Sequence, residues 1–217
     1  MDKELATRVW NKKFKSLLEK SNLPTTYWEP QTLVARELDL DAWDYLEEVR
    51  SNVVEEVANG LSLIISSINV GNGKTSWAIR LLQRYLAETA LDGRLVDKGL
   101  FISYATLLTD LSDFKYRETE EFKEMQKRLL SCELLVIDEL GGGTINKFNY
   151  PLLYEIIDTR CQRKLATIYT TNYTEEYIKD QLGERLFSRI YDFSILVQFV
   201  SSNVRGKTLQ EIEEEVE

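Results

Sequence analysis

The chain has 217 residues, of which 43% are hydrophobic and 11% aromatic, and it contains two cysteines and no histidine. This size and composition fit one domain with a short extension and exclude a disordered acidic protein, while the lack of histidine excludes histidine-based acid–base catalysis. The formal net charge of −9 excludes attraction of nucleic acid over the whole surface, so any such contact requires a local basic patch.

The first predicted element is a basic amphipathic helix over residues 2–20. Two prolines, Pro24 and Pro30, bound a connector after it. We expect residues 1–30 to dock onto a partner and residues 31–217 to form the core. The alternative is a helix folded back on its own core, as most amphipathic helices are. The predicted apolar stripe consists of Leu5, Val9, Phe14, Leu17 and Leu18.

The sequence has no feature typical of membrane insertion or secretion. No apolar run approaches the roughly 20 residues that a membrane-spanning helix needs, and charged residues occupy the N-terminus where a signal peptide is apolar. Cys132 and Cys161 have no metal-binding spacing and form no disulfide framework. We therefore expect a cytoplasmic protein that does not contact membranes.

The rest of the chain predicts strands that alternate with helices. Residues 40–59 have the pattern of a second amphipathic helix, ended by Gly60. Strands that are apolar on both faces and alternate with helices form parallel sheets. The predicted fold class is thus α/β, with a five-stranded parallel sheet flanked by helices. The five predicted strands lie in residues 61–68, 99–105, 132–138, 164–171 and 193–200.

The junction between the first strand and the next helix has the sequence INVGNGKT, residues 68–75. It departs from the phosphate-binding pattern only at Ile68, which replaces the first glycine. A strand before the loop and a helix after it let backbone N–H groups face phosphates. Lys74 is then expected to reach the β- and γ-phosphates, and the Thr75 hydroxyl to bind Mg²⁺. The alternative is a glycine-rich turn that precedes a helix and does not bind phosphate. The predicted nucleotide-binding residues are Asn69, Val70, Gly71, Asn72, Gly73, Lys74, Thr75 and Ser76.

Polar residues also end two other predicted strands. Asp138 and Glu139 follow the apolar run at 134–137. In nucleotide hydrolases the first such acid holds Mg²⁺ and the second polarises the attacking water, although two solvated acids are a common alternative. Asn172 follows the run at 164–171. Its amide could sense the γ-phosphate, or it could be an ordinary turn residue.

At this point the sequence resembles a known family. The segments CELLVIDELGGGTINKFNYPLLYEIIDTR and YTTNYTEEYIKDQLGERLFSRIYDFSILVQFVSSNVRGK resemble the ATPase core of DnaC- and DnaI-type replicative helicase loaders, with IstB transposition helpers as relatives. The similarity spans residues 61–207, and LGERLFSRIYD is its most specific part. It implies an AAA+ P-loop ATPase fold, ATP with Mg²⁺, and oligomers in which a neighbour completes each site.

The resemblance also implies roles for individual residues. Arg189 matches the arginine finger, Arg185 its companion and Arg205 a second sensor. A finger from a neighbouring subunit neutralises charge on the γ-phosphate. The spacing of four places Arg185 and Arg189 on one helical face, which also fits a surface pair facing water. The Walker A motif matches at Lys74 and Thr75, Walker B at Asp138 and Glu139, and the first sensor at Asn172.

In the same family two segments line a path for single-stranded DNA. They correspond here to residues 144–150 and 113–117, which interleave aromatic residues with basic or amide groups, as base stacking with backbone contact requires. Each aromatic could instead pack into the core. The three glycines at 141–143 predict a flexible loop before the first segment. The predicted DNA-binding residues are Asn146, Lys147, Phe148, Phe114 and Lys115.

The sequence therefore predicts an ATP-dependent helicase loader that binds single-stranded DNA, self-associates with ATP and holds a DnaB-type replicative helicase through residues 1–20. One alternative is an IstB- or TnsC-like transposition helper that binds duplex DNA and a transposase. Another is a non-hydrolysing adaptor or decoy of the replication machinery, against which Glu139 and Arg189 argue. The short region before the core favours a phage or mobile-element origin.

Overall fold

The sheet lies at the centre of the molecule. The computed structural model describes residues 3–29, 32–93, 98–113 and 119–201. In this part of the chain the strands are parallel and have the order β2-β3-β4-β1-β5, which confirms the predicted fold class. The strands are β1 (Ser62–Ser66), β2 (Gly99–Ser103), β3 (Leu134–Asp138), β4 (Ala166–Thr171) and β5 (Ile195–Gln198).

Helices connect the strands and cover both faces of the sheet. The helices are α1 (Lys3–Lys20), α2 (Leu40–Ser51), α3 (Val53–Ala58), α4 (Lys74–Glu88), α5 (Tyr104–Ser112), α6 (Glu120–Ser131), α7 (Tyr150–Arg163) and α8 (Glu175–Tyr191). Short 3₁₀ turns form at Thr25–Tyr27 and Glu37–Asp39. No helix in the described ranges has both the length and the apolar character needed to cross a membrane.

The prediction of one continuous helix over residues 40–59 is wrong at Asn52. The backbone of Asn52 leaves the helical region (φ −112°, ψ 20°), and α2 and α3 are separate helices. Both the backbone N–H and the side-chain amide of Asn52 donate to the Glu48 carbonyl, at 3.1 and 3.2 Å. Asparagine favours such local bonds over helix continuation.

Alternate residues of the central strands face two separate cores. Leu63 and Ile65 of β1 pack with buried residues of α1 to α4, and Ile64 packs with those of α5 to α8. The period of two in strand side chains explains this division. The expectation of burial on both faces fails for β5, where Ile195 and Leu196 are each 47% exposed, because β5 is an edge strand beside β1.

Helix α1 is divided between packing and exposure. Leu17 and Leu18 are buried in the core, and Phe14 packs against it. The predicted partner-facing stripe is therefore shorter than expected, because its C-terminal part lies against α4. Leu5 and Val9 remain 53% and 40% exposed.

Helix α1 and the residue after it are also fixed to the core by hydrogen bonds. The Trp10 indole donates to the Ala87 carbonyl at 3.1 Å. Just after the helix, the Ser21 carbonyl accepts from the N–H of Phe101 on edge strand β2, at 2.7 Å. The first bond joins the middle of α1 to α4, and the second joins the residue after α1 to strand β2.

Candidate functional site

The predicted nucleotide-binding residues meet at one edge of the sheet. The carboxyl ends of parallel strands lie at the same edge, and here β1, β3 and β4 are neighbours. The loop after β1 leads directly into α4, which begins at Lys74. The sequence thus brings the loop, the two acids after β3 and Asn172 after β4 to a common place, as ligand sites in open α/β sheets require.

The glycines of the loop have conformations that other residues rarely adopt. Gly71 has φ +79° and Gly73 has φ +95°, and a Cβ on Gly73 would lie 3.2 Å from a methyl group of Leu33. Ile68, which replaces the first glycine of the pattern, is 67% exposed beyond the end of β1. Ile68 therefore does not crowd the loop. Val70 is exposed, and Ser76 lies half-buried in the first turn of α4.

Lys74 is buried and points its ammonium group into the loop. The Nζ atom donates to the Asn69 carbonyl at 2.8 Å and to Asn72 Oδ1 at 2.9 Å. The buried Nδ2 of Asn72 has no hydrogen-bond partner among the described residues. Because buried donors are normally paired, an ammonium group beside an unpartnered amide N–H fits an anionic ligand such as a phosphate.

Two threonine hydroxyls converge on one oxygen of Asp138. Thr75 Oγ1 donates to Asp138 Oδ1 at 2.8 Å, and Thr170 Oγ1 donates to the same oxygen at 2.6 Å. Thr75 and Asp138 thus present oxygen atoms side by side, as a Mg²⁺ ion requires. Within the described ranges, no group of three or more histidine, cysteine or acidic residues could hold a metal alone. Mg²⁺ is usually held by one or two carboxylates together with phosphates and water, and Asp138 would be such a carboxylate.

Glu139 has an unusual backbone conformation next to Asp138. Its φ of +61° is left-handed, and such strain in a non-glycine residue costs about 1–3 kcal/mol. The Glu139 N–H donates to Thr170 Oγ1 at 3.0 Å, and the Glu139 carbonyl accepts from the Gly142 N–H at 2.8 Å. These bonds stabilise the turn at Glu139, whose side chain is exposed to solvent.

The prediction overlooked Thr170, whose hydroxyl contacts both members of the acidic pair. Thr170 is buried, at 1% exposure. A hydroxyl within an apolar strand was a signal available in the sequence, but the position of β4 beside β3 became visible only in the structure. Asn172, which was predicted to sense the nucleotide, is half-buried just after the end of β4.

A second layer ties the loop to two distant segments. Asn69 Nδ2 donates to the carbonyls of Val200 and Ser201, at 2.9 and 3.1 Å. The buried carboxylate of Asp39 accepts from the backbone N–H groups of the same two residues, at 2.7 and 3.2 Å, and from the Ser201 hydroxyl. The loop, the region before α2 and the chain after β5 therefore form one bonded unit, which the sequence did not predict.

The glycines at 141–143 permit close packing, which corrects the expectation of flexibility. A Cβ on Gly141 would lie 2.5 Å from a methyl group of Ile178, and a Cβ on Gly142 would lie 2.9 Å from the Glu139 carbonyl oxygen. Side chains at these positions would clash with neighbours. The loop after the acidic pair is thus held tightly against α8.

The predicted DNA segment at 144–150 combines a structural and an exposed part. Asn146 Oδ1 accepts from the N–H groups of Phe148 and Asn149, at 2.8 and 3.1 Å, so its carbonyl oxygen serves the turn before α7. Phe148 is 42% exposed, and Lys147 Nζ lies 5.0 Å from its ring centre. Lys147 and Phe148 therefore present a cation and an aromatic face to solvent.

The first predicted DNA segment is bonded to the end of α5. Ser112, at the end of α5, accepts hydrogen bonds from the side-chain amides of Asn146 and Asn149, at 3.2 and 3.0 Å. The second segment begins immediately after Ser112. Its predicted contacts Phe114 and Lys115, like Arg205 and Pro30, lie outside the described residues.

The two predicted catalytic arginines lie far from the phosphate-binding loop of their own chain. Helix α8 starts beyond the carboxyl end of β4 and ends before the amino end of β5. A strand of four to five residues spans roughly 15 Å, so the C-terminal end of α8 lies at the opposite edge of the sheet from the loop. The helix also bends at Gly183 (φ 72°, ψ 158°), before both arginines.

Both arginines contact α7. The Arg185 guanidinium lies 5.1 Å from the ring centre of Tyr154, and Arg189 Nε lies 2.8 Å from Asp158 Oδ1. A hydrogen bond with Tyr154 and the charge of Asp158 raise the pKa of Arg189 above its ordinary value. Arg189 therefore stays cationic at any physiological pH, with its side chain partly exposed.

Comparison with known proteins gives one family and several relatives. The model of the family described as IstB-like ATP binding protein matches residues 1–208. The replicative helicase loader DnaC of Escherichia coli (strain K12) is 31% identical over 138 residues, which are 63% of this chain and 53% of the relative. The chain thus spans about half the length of the curated relatives it matches.

Solved structures support the fold. A crystal structure of the DnaC helicase loader superposes with a TM-score of 0.66 at 22% identity, over 81% of this chain and 99% of that chain. The replication initiator DnaA bound to AMPPCP and single-stranded DNA superposes with a TM-score of 0.64 at 16% identity, over 90% of this chain and 65% of that chain. These likenesses confirm the predicted fold. The family match and the identity to DnaC confirm the predicted resemblance to helicase loaders and their IstB-like relatives.

Proposed function

The chain belongs to the family of IstB-like ATP-binding proteins, and from this premise we propose that it is an ATPase that loads a replicative helicase onto single-stranded DNA. The observation that carries the proposal is the contact of Thr75 with Asp138 beside the buried Lys74. That arrangement supplies a cation for phosphates and adjacent oxygen ligands for Mg²⁺.

Each residue of the edge has a distinct part in hydrolysis. Lys74 and the N–H groups of the loop bind the β- and γ-phosphates. The Thr75 hydroxyl and the Asp138 carboxylate would hold Mg²⁺. When bound, Mg²⁺ supplies Lewis-acid polarisation of the γ-phosphoryl group. Glu139 orients and polarises the attacking water, and Asn172 contacts that water or the γ-phosphate.

A second copy of the chain completes this centre. Arg189 lies at the edge of the sheet opposite its own loop, so its guanidinium can only serve the nucleotide of a neighbour. The proposed assembly is therefore a head-to-tail oligomer that forms with ATP, in which Arg189 inserts beside the γ-phosphate and Arg185 assists it.

Single-stranded DNA is proposed to bind beside α5 and α7. Phe148 offers a face for base stacking and Lys147 a contact for the phosphate backbone. The side-chain amides of Asn146 and Asn149 donate to Ser112, at the end of α5. A local site of this kind is what an acidic chain needs in order to bind nucleic acid.

The helicase is proposed to dock on the N-terminal half of α1. Leu5 and Val9 are exposed on a basic helix whose other half is anchored in the core. An exposed apolar stripe on an anchored helix can lie in a groove of a partner.

A transposition helper is the second candidate, and the description of the matched family favours it. Such a protein would bind duplex DNA and a transposase. The two candidates differ in the DNA they prefer in the presence of ATP.

DNA binding by fluorescence anisotropy with ATP tests the proposal. Wild type should prefer single-stranded over duplex oligonucleotides, and Phe148→Ala should weaken single-strand binding by ~1–3 kcal/mol. Lys147→Ala should also weaken binding, while the matched control Lys12→Ala, which removes an exposed lysine of α1, should not. If wild type prefers duplex DNA, and neither Phe148→Ala nor Lys147→Ala alters this preference, the result would favour the transposition helper.

A further inference from the structure

The carboxylate of Asp158 holds Arg189 at a defined position. Arg189 Nε lies 2.8 Å from Asp158 Oδ1, and the other oxygen of Asp158 accepts from Gln162 Nε2 at 2.6 Å. The side chains of Asp158 and Arg189 are 19% and 37% exposed. The carboxylate is thus itself fixed on α7 and largely removed from solvent, unlike the acid of an ordinary surface ion pair.

Other contacts restrain Arg189 from further directions. The Cys161 thiol donates to the Arg189 carbonyl at 3.2 Å, which attaches the backbone at Arg189 to α7. The Phe193 ring centre lies 5.8 Å from the guanidinium carbon. An arginine has many rotamers in solution and loses much entropy when it binds, so these contacts reduce the entropy that remains to be lost.

Helix α7 is a rigid base for this arrangement. Two residues after Asp158, the buried Arg160 donates to the Leu129 carbonyl at 2.9 Å and to the Ala166 carbonyl at 2.6 Å. These bonds join α7 to α6 and β4. The position of Asp158 is therefore determined by the core of its own subunit.

The contact between Asp158 and Arg189 is an ion pair that is closest at Nε. Asp158 Oδ1 has no hydrogen-bond partner among the described residues, so the attraction between the two groups is one of charge. The Arg189 side chain also forms a hydrogen bond with Tyr154. Its terminal amino groups are donors that can form a fork with phosphate oxygens. Asp158 thus keeps the guanidinium beside α7 through the Nε side of the group.

We propose that Asp158 is a positioning residue, which holds Arg189 so that its terminal amino groups enter the nucleotide site of the neighbouring subunit. This inference rests on the proposed shared site. It extends that site by a residue that never touches the nucleotide and acts only on the neighbour's hydrolysis, through orientation before the transition state.

Hydrolysis by mixed oligomers tests the inference. Subunits with Arg189→Ala keep the loop, and subunits with Lys74→Ala keep the arginine, so all activity of the mixture comes from hybrid sites. Asp158→Asn is introduced into the Lys74→Ala subunit, because the Arg189 of that subunit serves the active hybrid sites. The same substitution in the Arg189→Ala subunit is the control, because no guanidinium is present there for residue 158 to hold.

The expected result is asymmetric. In the Lys74→Ala subunit, Asp158→Asn should lower kcat of the hybrid sites about fivefold, the upper range for loss of a partly exposed ion pair, with KM for ATP unchanged. Asp158→Glu in the same subunit should restore part of the activity, because it keeps the charge. In the control arrangement, kcat should stay at the level of the unmodified mixture.

Equal losses in the two arrangements, no loss in either, or a gain in activity would overturn the positioning role. Failure of the unmodified mixture to hydrolyse ATP at any mixing ratio is a separate outcome. It would reject the shared site itself, and the inference with it.

Discussion

The phosphate-binding edge and the arginine face of α8 are built in different ways. At the edge, Lys74, Asp138 and Thr170 are 6%, 8% and 1% exposed, and bonds between α4 and two strands fix the acid. On the arginine face, Arg185 is exposed and Arg189 partly so, and both are held by contacts between two helices. The first region is fixed by the core of its own chain, whereas the second is partly exposed and is proposed to contact a neighbouring copy.

Removing the ammonium group at the buried edge should have the largest effect. Lys74→Ala should abolish ATP binding at nucleotide concentrations that saturate wild type, because the loop loses its one buried cation among the described residues. Binding of a fluorescent ATP analogue measures this. Glu139→Gln is the matched control: it should keep ATP and stop hydrolysis, since only water activation is lost. Equal affinity of wild type and Lys74→Ala would mean that this edge is not a nucleotide site.

Removing Arg189 should impair ATP hydrolysis and leave ATP binding intact. Arg189→Ala should bind ATP nearly as wild type does, because the edge is intact, and should hydrolyse it ~10³-fold more slowly. Steady-state phosphate release gives the rate, and analogue binding gives the affinity. Loss of affinity in the isolated subunit would contradict the assignment of Arg189 to a neighbour's site.

Removing the Thr170 hydroxyl should show how far Asp138 and Glu139 depend on their hydrogen bonds to this residue. Thr170→Val keeps the shape of the side chain but leaves Asp138 with one donor fewer and the Glu139 N–H without an acceptor. Hydrolysis should fall roughly tenfold or more, and the Mg²⁺ concentration needed for tight ATP binding should rise. Thr170→Ser should restore both. If Ser and Val behave alike, the hydroxyl has no part in holding the acids.

Helix α1 contains the same contrast within one element, and its substitutions should have the smallest effect on hydrolysis. Val9→Asp alters the exposed half and should remove helicase binding without changing the unfolding temperature. Leu17→Ala alters the buried half and should lower the free energy of unfolding by ~2–5 kcal/mol. Pull-down with a hexameric helicase and thermal unfolding measure the two effects. A stable Val9→Asp variant that still binds the helicase would place docking elsewhere.

The sequence was most informative where the chain determines structure locally. The loop at 68–75 and the apolar strands with their terminal acids follow from spacing and residue type. They predicted the fold, and the structure brings their predicted nucleotide-binding residues to one edge of the sheet. The prediction of one helix failed at Asn52, where a side-chain hydrogen bond interrupts the helical pattern. The prediction of burial on both faces failed for β5, because strand order makes it an edge strand of the sheet.

Contacts between distant residues could not be predicted from one sequence. Thr170 reaches Asp138 across neighbouring strands, and Asp39 bonds residues 200 and 201 from far along the chain. Nothing in the local pattern distinguishes Asp158 from any other helical acid. The glycines at 141–143 are a further example. Their composition predicted a flexible loop, but neighbouring residues leave space only for small residues there.

The placement of the loop and Arg189 at opposite edges of one sheet gives the proposed assembly a direction. A contact between two unlike surfaces is heterologous and leaves one unused surface of each kind at the ends of an open chain. An open assembly of n subunits would then contain n − 1 complete sites, while a closed ring would contain n. Turnover per subunit would rise with assembly length, and the terminal subunit with an uncompleted loop would retain its ATP longest.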